Sequence, residues 1–157
     1  MSIGTDFLRE YEQVQGRAGR GEGASALRDL ASWREFVAAC VAGYDDVLPE
    51  YFHDLRVRDA IECGLADHTL RGMAGFEDFF RAVHVVDARF REIATVRIRL
   101  ADSKVFSWWY HLVPGKGGSE FARDLQSKFG VTIEIVEEGC PPAPSMWSEG
   151  DGCGVGR

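Results

Sequence analysis

FEDFFRAVHVVDARFREIATVRIRLA, residues 76–101, changes period part-way along, and that change decides the fold class. Its first part carries Phe76, Phe79, Phe80, Val83, Val86, Phe90 and Ile93 at steps of three and four, the stripe of an amphipathic helix running from about Gly75 to Ala94. After Ala94 the step becomes two. Val96, Ile98 and Leu100 alternate with Arg97 and Arg99, as a half-buried strand requires. A chain that makes this switch once, with helical patterns before it and alternation after it, is an α+β chain.

Upstream, Phe7, Leu8, Tyr11 and Val14 place a short helix over 5–15, with Thr5 or Asp6 as its cap. Four glycines in 16–24 read as a flexible connection. Ser25 then opens a helix to about Gly43 with the stripe Leu27, Leu30, Trp33, Phe36, Val37, Cys40 and Val41. A further helix is expected from Leu48 to about Gly64, capped by Asp45 or Asp46, with Pro49 in its first turn where a missing N–H costs nothing. Downstream, VFSWWYHLV (105–113) reads as a second strand, SEFARDLQSKF (119–129) as a helix between Ser119 and Gly130, and VTIEIVE (131–137) as a third strand. The expected order is about four N-terminal helices followed by β-β-α-β. One globular domain over 1–138 is expected, with a disordered tail over 139–157, where three prolines and five glycines leave little to bury.

Charge narrows the partners. Twenty-five acidic against 18 basic residues give −7, which disfavours nucleic acid and anionic membranes and favours a basic protein partner. No apolar window approaches the roughly 18–20 residues of a membrane span. The N-terminal stretch lacks the apolar core of a secretory signal. Cys40, Cys63, Cys140 and Cys153 form no CxxC pair, so a reducing cytoplasm is the expected compartment.

The stretch most able to carry chemistry is YDDVLPEYFHDLRVRDAIE, residues 44–62. Its carboxylates fit either an acid/base or metal cluster, or an ion-pair network joining two helices. On a continuous helix from residue 48, Asp59 falls in the same sector as Leu48, Phe52 and Leu55 and needs a buried partner, for which Arg89 or Arg91 is the candidate. Arg58 can pair with Asp54 or Glu62 at a spacing of four. Glu50 and His53 have the Glu-x-x-His spacing of bridged metal sites, but no second copy exists, so no metal and no cofactor is expected. PGKGGSEF (114–121) lacks phosphate-loop spacing and reads as a strand-to-helix loop with Ser119 as cap. In a strand, Trp108 and Tyr110 would face one way and Trp109 and His111 the other, leaving one pair either under a helix or free as a binding hot spot.

Together, YFHDLRVRDAIE (51–62), VDARFREIAT (86–95), WWYHLVP (108–114) and SEFARDLQSKFGV (119–131) resemble small acidic bacterial immunity proteins encoded beside polymorphic toxins. The resemblance extends loosely over residues 44–136. It implies a non-enzymatic inhibitor that binds a cognate toxin domain, and the acidic charge points to a basic one. Under that expectation Asp45, Asp46, Glu50 and Asp54 steer the partner, and Tyr44, Tyr51 and one of Trp108 and Trp109 anchor it. Two rivals stand beside it: a small enzyme whose cleft holds Glu50, His53, Asp54 and His84, and a homo-oligomer joined through the aromatic strand.

Overall fold

The computed structural model describes residues 3–102 and 104–137; the expected tail lies outside them. It is a mixed helix-and-sheet chain in which helices do most of the packing. The helices are α1 (Thr5–Arg17), α2 (Ala26–Ala42), α3 (Leu48–Asp54), α4 (Arg56–Ala66), the single turn α5 (His68–Arg71), α6 (Phe76–Ile93) and α7 (Ser119–Phe129). The strands are two residues each: β1 (Val96–Arg97), β2 (Leu112–Val113), β3 (Lys116–Gly117) and β4 (Glu134–Ile135). Antiparallel β1 and β2 pair Val96 with Val113, parallel β3 and β4 pair Lys116 with Glu134, and Tyr44 bridges to Gly117.

Helix α2 lies at the centre, against α1, α4 and α6. Its buried face is Leu30, Trp33, Phe36, Val37 and Cys40, whereas Leu27, one step off that face, is 46% exposed. Trp33 stacks on Phe36 at 5.5 Å and meets Phe90 of α6 at 5.2 Å. Full burial of side chains of this size contributes roughly 1.5–3 kcal/mol each. Through these rings the helical stripes read from the sequence become one core.

A buried ion pair crosses that core. Arg58 Nε donates to Asp87 Oδ1 at 2.9 Å and Arg58 Nη2 to Asp87 Oδ2 at 2.9 Å, with both side chains almost wholly out of water. Trp33 Nε1 donates to the same Oδ1 at 3.0 Å, Arg58 Nη1 reaches Glu62 at 2.9 Å, and the guanidinium lies 4.5 Å from the Trp109 ring centre. Burial opposes the charge on Arg58, but the bonds to Asp87 and Glu62 outweigh it and its pKa is raised.

The expected helix from residue 48 is divided at Leu55, and the division explains why Arg58 rather than Asp59 faces the core. Leu55 has φ −62° and ψ −19°, and Arg58 N bonds Leu55 O at 3.0 Å, a three-residue closure. Such a turn rotates about 120° per residue instead of about 100°, so the inward position arrives one residue early. Asp59 is only half buried, and neither Arg89 nor Arg91 is its partner. Arg89 pairs with Glu92 on the surface at 3.0 Å, and Arg91 lies 3.7 Å over the Trp108 ring.

Other expectations are corrected in the same way. Residues 108–111 form a 3-10 turn, so the strand alternation expected for WWYH does not occur and the strand order is β-β-β-α-β. Asp59, which accepts from Trp109 and Tyr110, and Arg91, which lies over Trp108, hold these aromatics where an extended ladder was expected. Helix α1 runs two residues further than expected, with Gly4 rather than Thr5 or Asp6 at its N-cap position. Gly118 rather than Ser119 occupies the N-cap of α7. Leu48 N, at the start of α3, is served by Asp124 of α7 at 3.1 Å, a carboxylate 76 residues away and neither Asp45 nor Asp46.

Close approach dictates glycine most tightly at Gly117 and Gly64. A Cβ on Gly117 would meet Phe121 at 2.6 Å and the Tyr44 carbonyl at 3.0 Å, which is what lets three backbones converge there. A Cβ on Gly64 would meet the Tyr11 ring at 2.6 Å where α1 crosses α4. Alanine is the better helix former by about 1 kcal/mol, yet overpacking costs roughly 1–3 kcal/mol. Gly64→Ala should therefore lower the urea midpoint; a midpoint that rose would show that propensity, not the α1–α4 crossing, governs the site.

Candidate functional site

Two depressions lie on α3 and on the segment that precedes it. The first, about 660 Å³, lies between α3, the start of α4 and the 100–110 segment, and presents Glu50, Phe52, His53, Arg56, Phe106 and Tyr110. The second, about 590 Å³, is lined by Asp45, Asp46, Glu120 and Glu137, with Ile135 and Val136 among them. Among the described residues no lysine or arginine lines the second groove. Its floor follows from the local chain: the Tyr44–Gly117 bridge and Gly118 N donating to Tyr44 O at 2.7 Å bring residues 45–46 against the start of α7.

The structure divides the expected partner-binding residues into two sets. Asp45, Asp46, Glu50 and Asp54 are exposed, but they do not share one face. Asp45 and Asp46 line the acidic groove, Glu50 the larger cleft, and Asp54 a third depression beside Arg20 and Arg28. Tyr44, Tyr51 and Trp109 are core residues at 4%, 0% and 2% exposure, so they cannot anchor a partner. Their polar ends are used internally. Tyr44 Oη donates to Asp54 at 2.8 Å, Tyr51 Oη to the Leu112 carbonyl at 2.7 Å, and Trp109 Nε1 to Asp59 Oδ1 at 3.0 Å. Trp108 is half buried beneath Arg91.

The residues of the enzymatic alternative do not gather either. Glu50 and His53 share the larger cleft, His53 and Asp54 share the depression by Arg20, and His84 stands by Phe80 and Arg91 on another surface. Among the described residues no three His, Cys, Asp or Glu side chains are placed to hold a metal ion. Also among them, no helix is long and apolar enough to cross a membrane, and Cys40 and Cys63 are free thiols. No protein family, no curated protein and no solved structure matches this chain.

Two buried carboxylates went unnoticed in the sequence although a signal was present. Asp29 and Asp87 each interrupt an apolar helical stripe, Asp29 between Ala26 and Leu30 and Asp87 between Val83 and Phe90. Asp29 accepts from Tyr11 Oη at 2.7 Å and from both Arg20 amino groups at 2.7 and 3.0 Å. Arg20 thus ties the glycine-rich connection to α2, a role its surroundings in sequence do not suggest.

All four tyrosines have their ionisation pushed above the ordinary range. Burial is the leading cause for Tyr11, Tyr44, Tyr51 and Tyr110, followed for three of them by the nearby carboxylates Asp29, Asp54 and Asp59. A phenol whose pKa is higher folded than unfolded contributes stability that is complete below the unfolded value of about 10 and is lost as pH rises beyond it. Phenolate absorbance should therefore stay flat through pH 10 in the folded chain and appear together with loss of secondary structure. A tyrosine ionising near pH 10 while the fold persists would refute the hydrogen-bonded arrangement for that residue.

Proposed function

We propose that this chain is a non-enzymatic binding protein whose acidic groove receives a basic protein surface, in the manner of an immunity protein neutralising a toxin domain. The observation that carries the reading is the groove itself: Asp45, Asp46, Glu120 and Glu137 line it without a lysine or arginine among the described residues, and Ile135 is 54% exposed at its wall. Carboxylates around an exposed aliphatic side chain supply two terms of association. The charges steer a basic partner and raise its on-rate, and the apolar contact gains once water is excluded. With Tyr44, Tyr51 and Trp109 internal, Ile135 replaces them as anchor in this reading.

A catalytic reading draws less support. Glu50 and His53 face one cleft, but among the described residues no hydrogen bond joins them, and His84 lies elsewhere. The homo-oligomeric reading loses the aromatic strand it relied on. In the binding reading the chain works in a reducing cytoplasm, where Cys40 and Cys63 remain thiols.

Affinity capture from the native cells, eluted over a salt gradient, tests the proposal. A stoichiometric basic protein released only at high salt is the expected outcome. With that partner in hand, reversing Asp46 and Glu137 to lysine should slow association by about tenfold or more and flatten its salt dependence. Unchanged rates and salt slope would remove the groove from the interface.

A further inference from the structure

The larger cleft holds two charges that form no ion pair among the described residues. Its lining contains Glu50, Asp59 and Arg56 together with His53. Asp59 is committed: Oδ1 accepts from Trp109 Nε1 at 3.0 Å and Oδ2 from Tyr110 Oη. Glu50 and Arg56 are not. Among the described residues neither belongs to an ion pair, so they are not joined to each other although they face the same space.

Beside these charges stands an apolar wall that is open to water. Val105 is 76% exposed and Phe106 44% exposed. Phe106 packs against Tyr110 at 5.6 Å, Tyr110 is 6.4 Å from Phe52, and His111 Nε2 lies 3.2 Å from the Phe106 carbonyl, which ties the segment to the cleft. Aromatic faces with a few separated polar groups, around about 660 Å³, have the size and character of a small-molecule site.

We infer that this cleft binds a zwitterionic α-amino acid with an aromatic or large apolar side chain, its carboxylate on Arg56, its ammonium on Glu50 and its side chain against Val105 and Phe106. The charge arrangement selects this class. A simple anion would meet Glu50 as well as Arg56, and a simple cation would meet Arg56 as well as Glu50. A ligand carrying both charges close together satisfies both side chains and covers the exposed wall. The guanidinium donates two parallel N–H bonds to a carboxylate, a geometry that an amide oxygen cannot reproduce. The site is separate from the acidic groove, and the inference does not depend on the protein-binding proposal.

Calorimetric titration of the full chain with L-phenylalanine, L-phenylalaninamide and N-acetyl-L-phenylalanine tests it. The amide lacks the carboxylate and the acetyl compound lacks the ammonium. L-Phenylalanine should bind with a Kd below about 1 mM, and each analogue at least about tenfold more weakly. Arg56→Gln should abolish the preference over the amide and keep that over the acetyl compound; Glu50→Gln should do the reverse. Both positions are exposed, and an unaltered urea midpoint shows that each variant is folded. Absence of binding by L-phenylalanine, an analogue that binds as well as the amino acid, or variants that leave both preferences intact would each overturn the inference.

Discussion

The Arg58–Asp87 pair is the constraint on which the rest of the structure depends. It joins α4 to α6 by two parallel bonds, takes a third donor from Trp33 of α2, and lies against Trp109. Removing two charges from water costs several kcal/mol each, and a pair offsets that cost only when every polar atom is satisfied. Here that condition is met: no buried side-chain nitrogen or oxygen among the described residues lacks a partner. A purely apolar contact among α2, α4 and α6 would tolerate sliding by part of a turn. A bidentate ion pair with an indole N–H on the same carboxylate accepts a single arrangement.

The same logic runs through the acidic residues. Asp29, Asp54, Asp59, Asp87 and Asp124 all accept hydrogen bonds from within the fold, mostly from Tyr, Trp and Arg. These carboxylates shape the interior and its margins. Among the exposed acids, Asp45, Asp46, Glu120 and Glu137 line one groove and Glu50 lines the larger cleft.

The helical stripes were legible because their periodicity is a local property. Helices α2 and α6 begin and end within a residue of the places set by Ser25, Gly43, Gly75 and Ala94. What could not be read is what tertiary partners decide. Alternation of Val96, Ile98 and Leu100 does give alternating burial, but the ladder stops after two residues because β1 has only β2 beside it. A run rich in Trp and Tyr has high strand propensity, yet it forms a 3-10 turn where Asp59 and Arg91 hold its side chains. The tightened turn at Leu55 leaves no mark in sequence, and by advancing the helical phase one step it exchanged the expected core acid for a core base. The candidate site suffered accordingly. Asp45, Asp46, Glu50 and Asp54 are exposed but do not share one face, and Tyr44, Tyr51 and Trp109 are internal, since aromatic residues serve cores and interfaces equally well.

A double-mutant cycle on Arg58 and Asp87 is the most direct measurement of this account. Arg58→Met, Asp87→Leu and the double variant would be unfolded in urea and compared with the parent chain. Loss of the acceptor for Trp33 occurs in both variants that lack Asp87 and cancels in the cycle. The account predicts that each single change costs about 3–5 kcal/mol, because each strands a buried charge, and that the double variant loses far less than their sum. Strict additivity would mean that the two charges are not coupled in the core, and the account of how α2, α4 and α6 are fixed would fail.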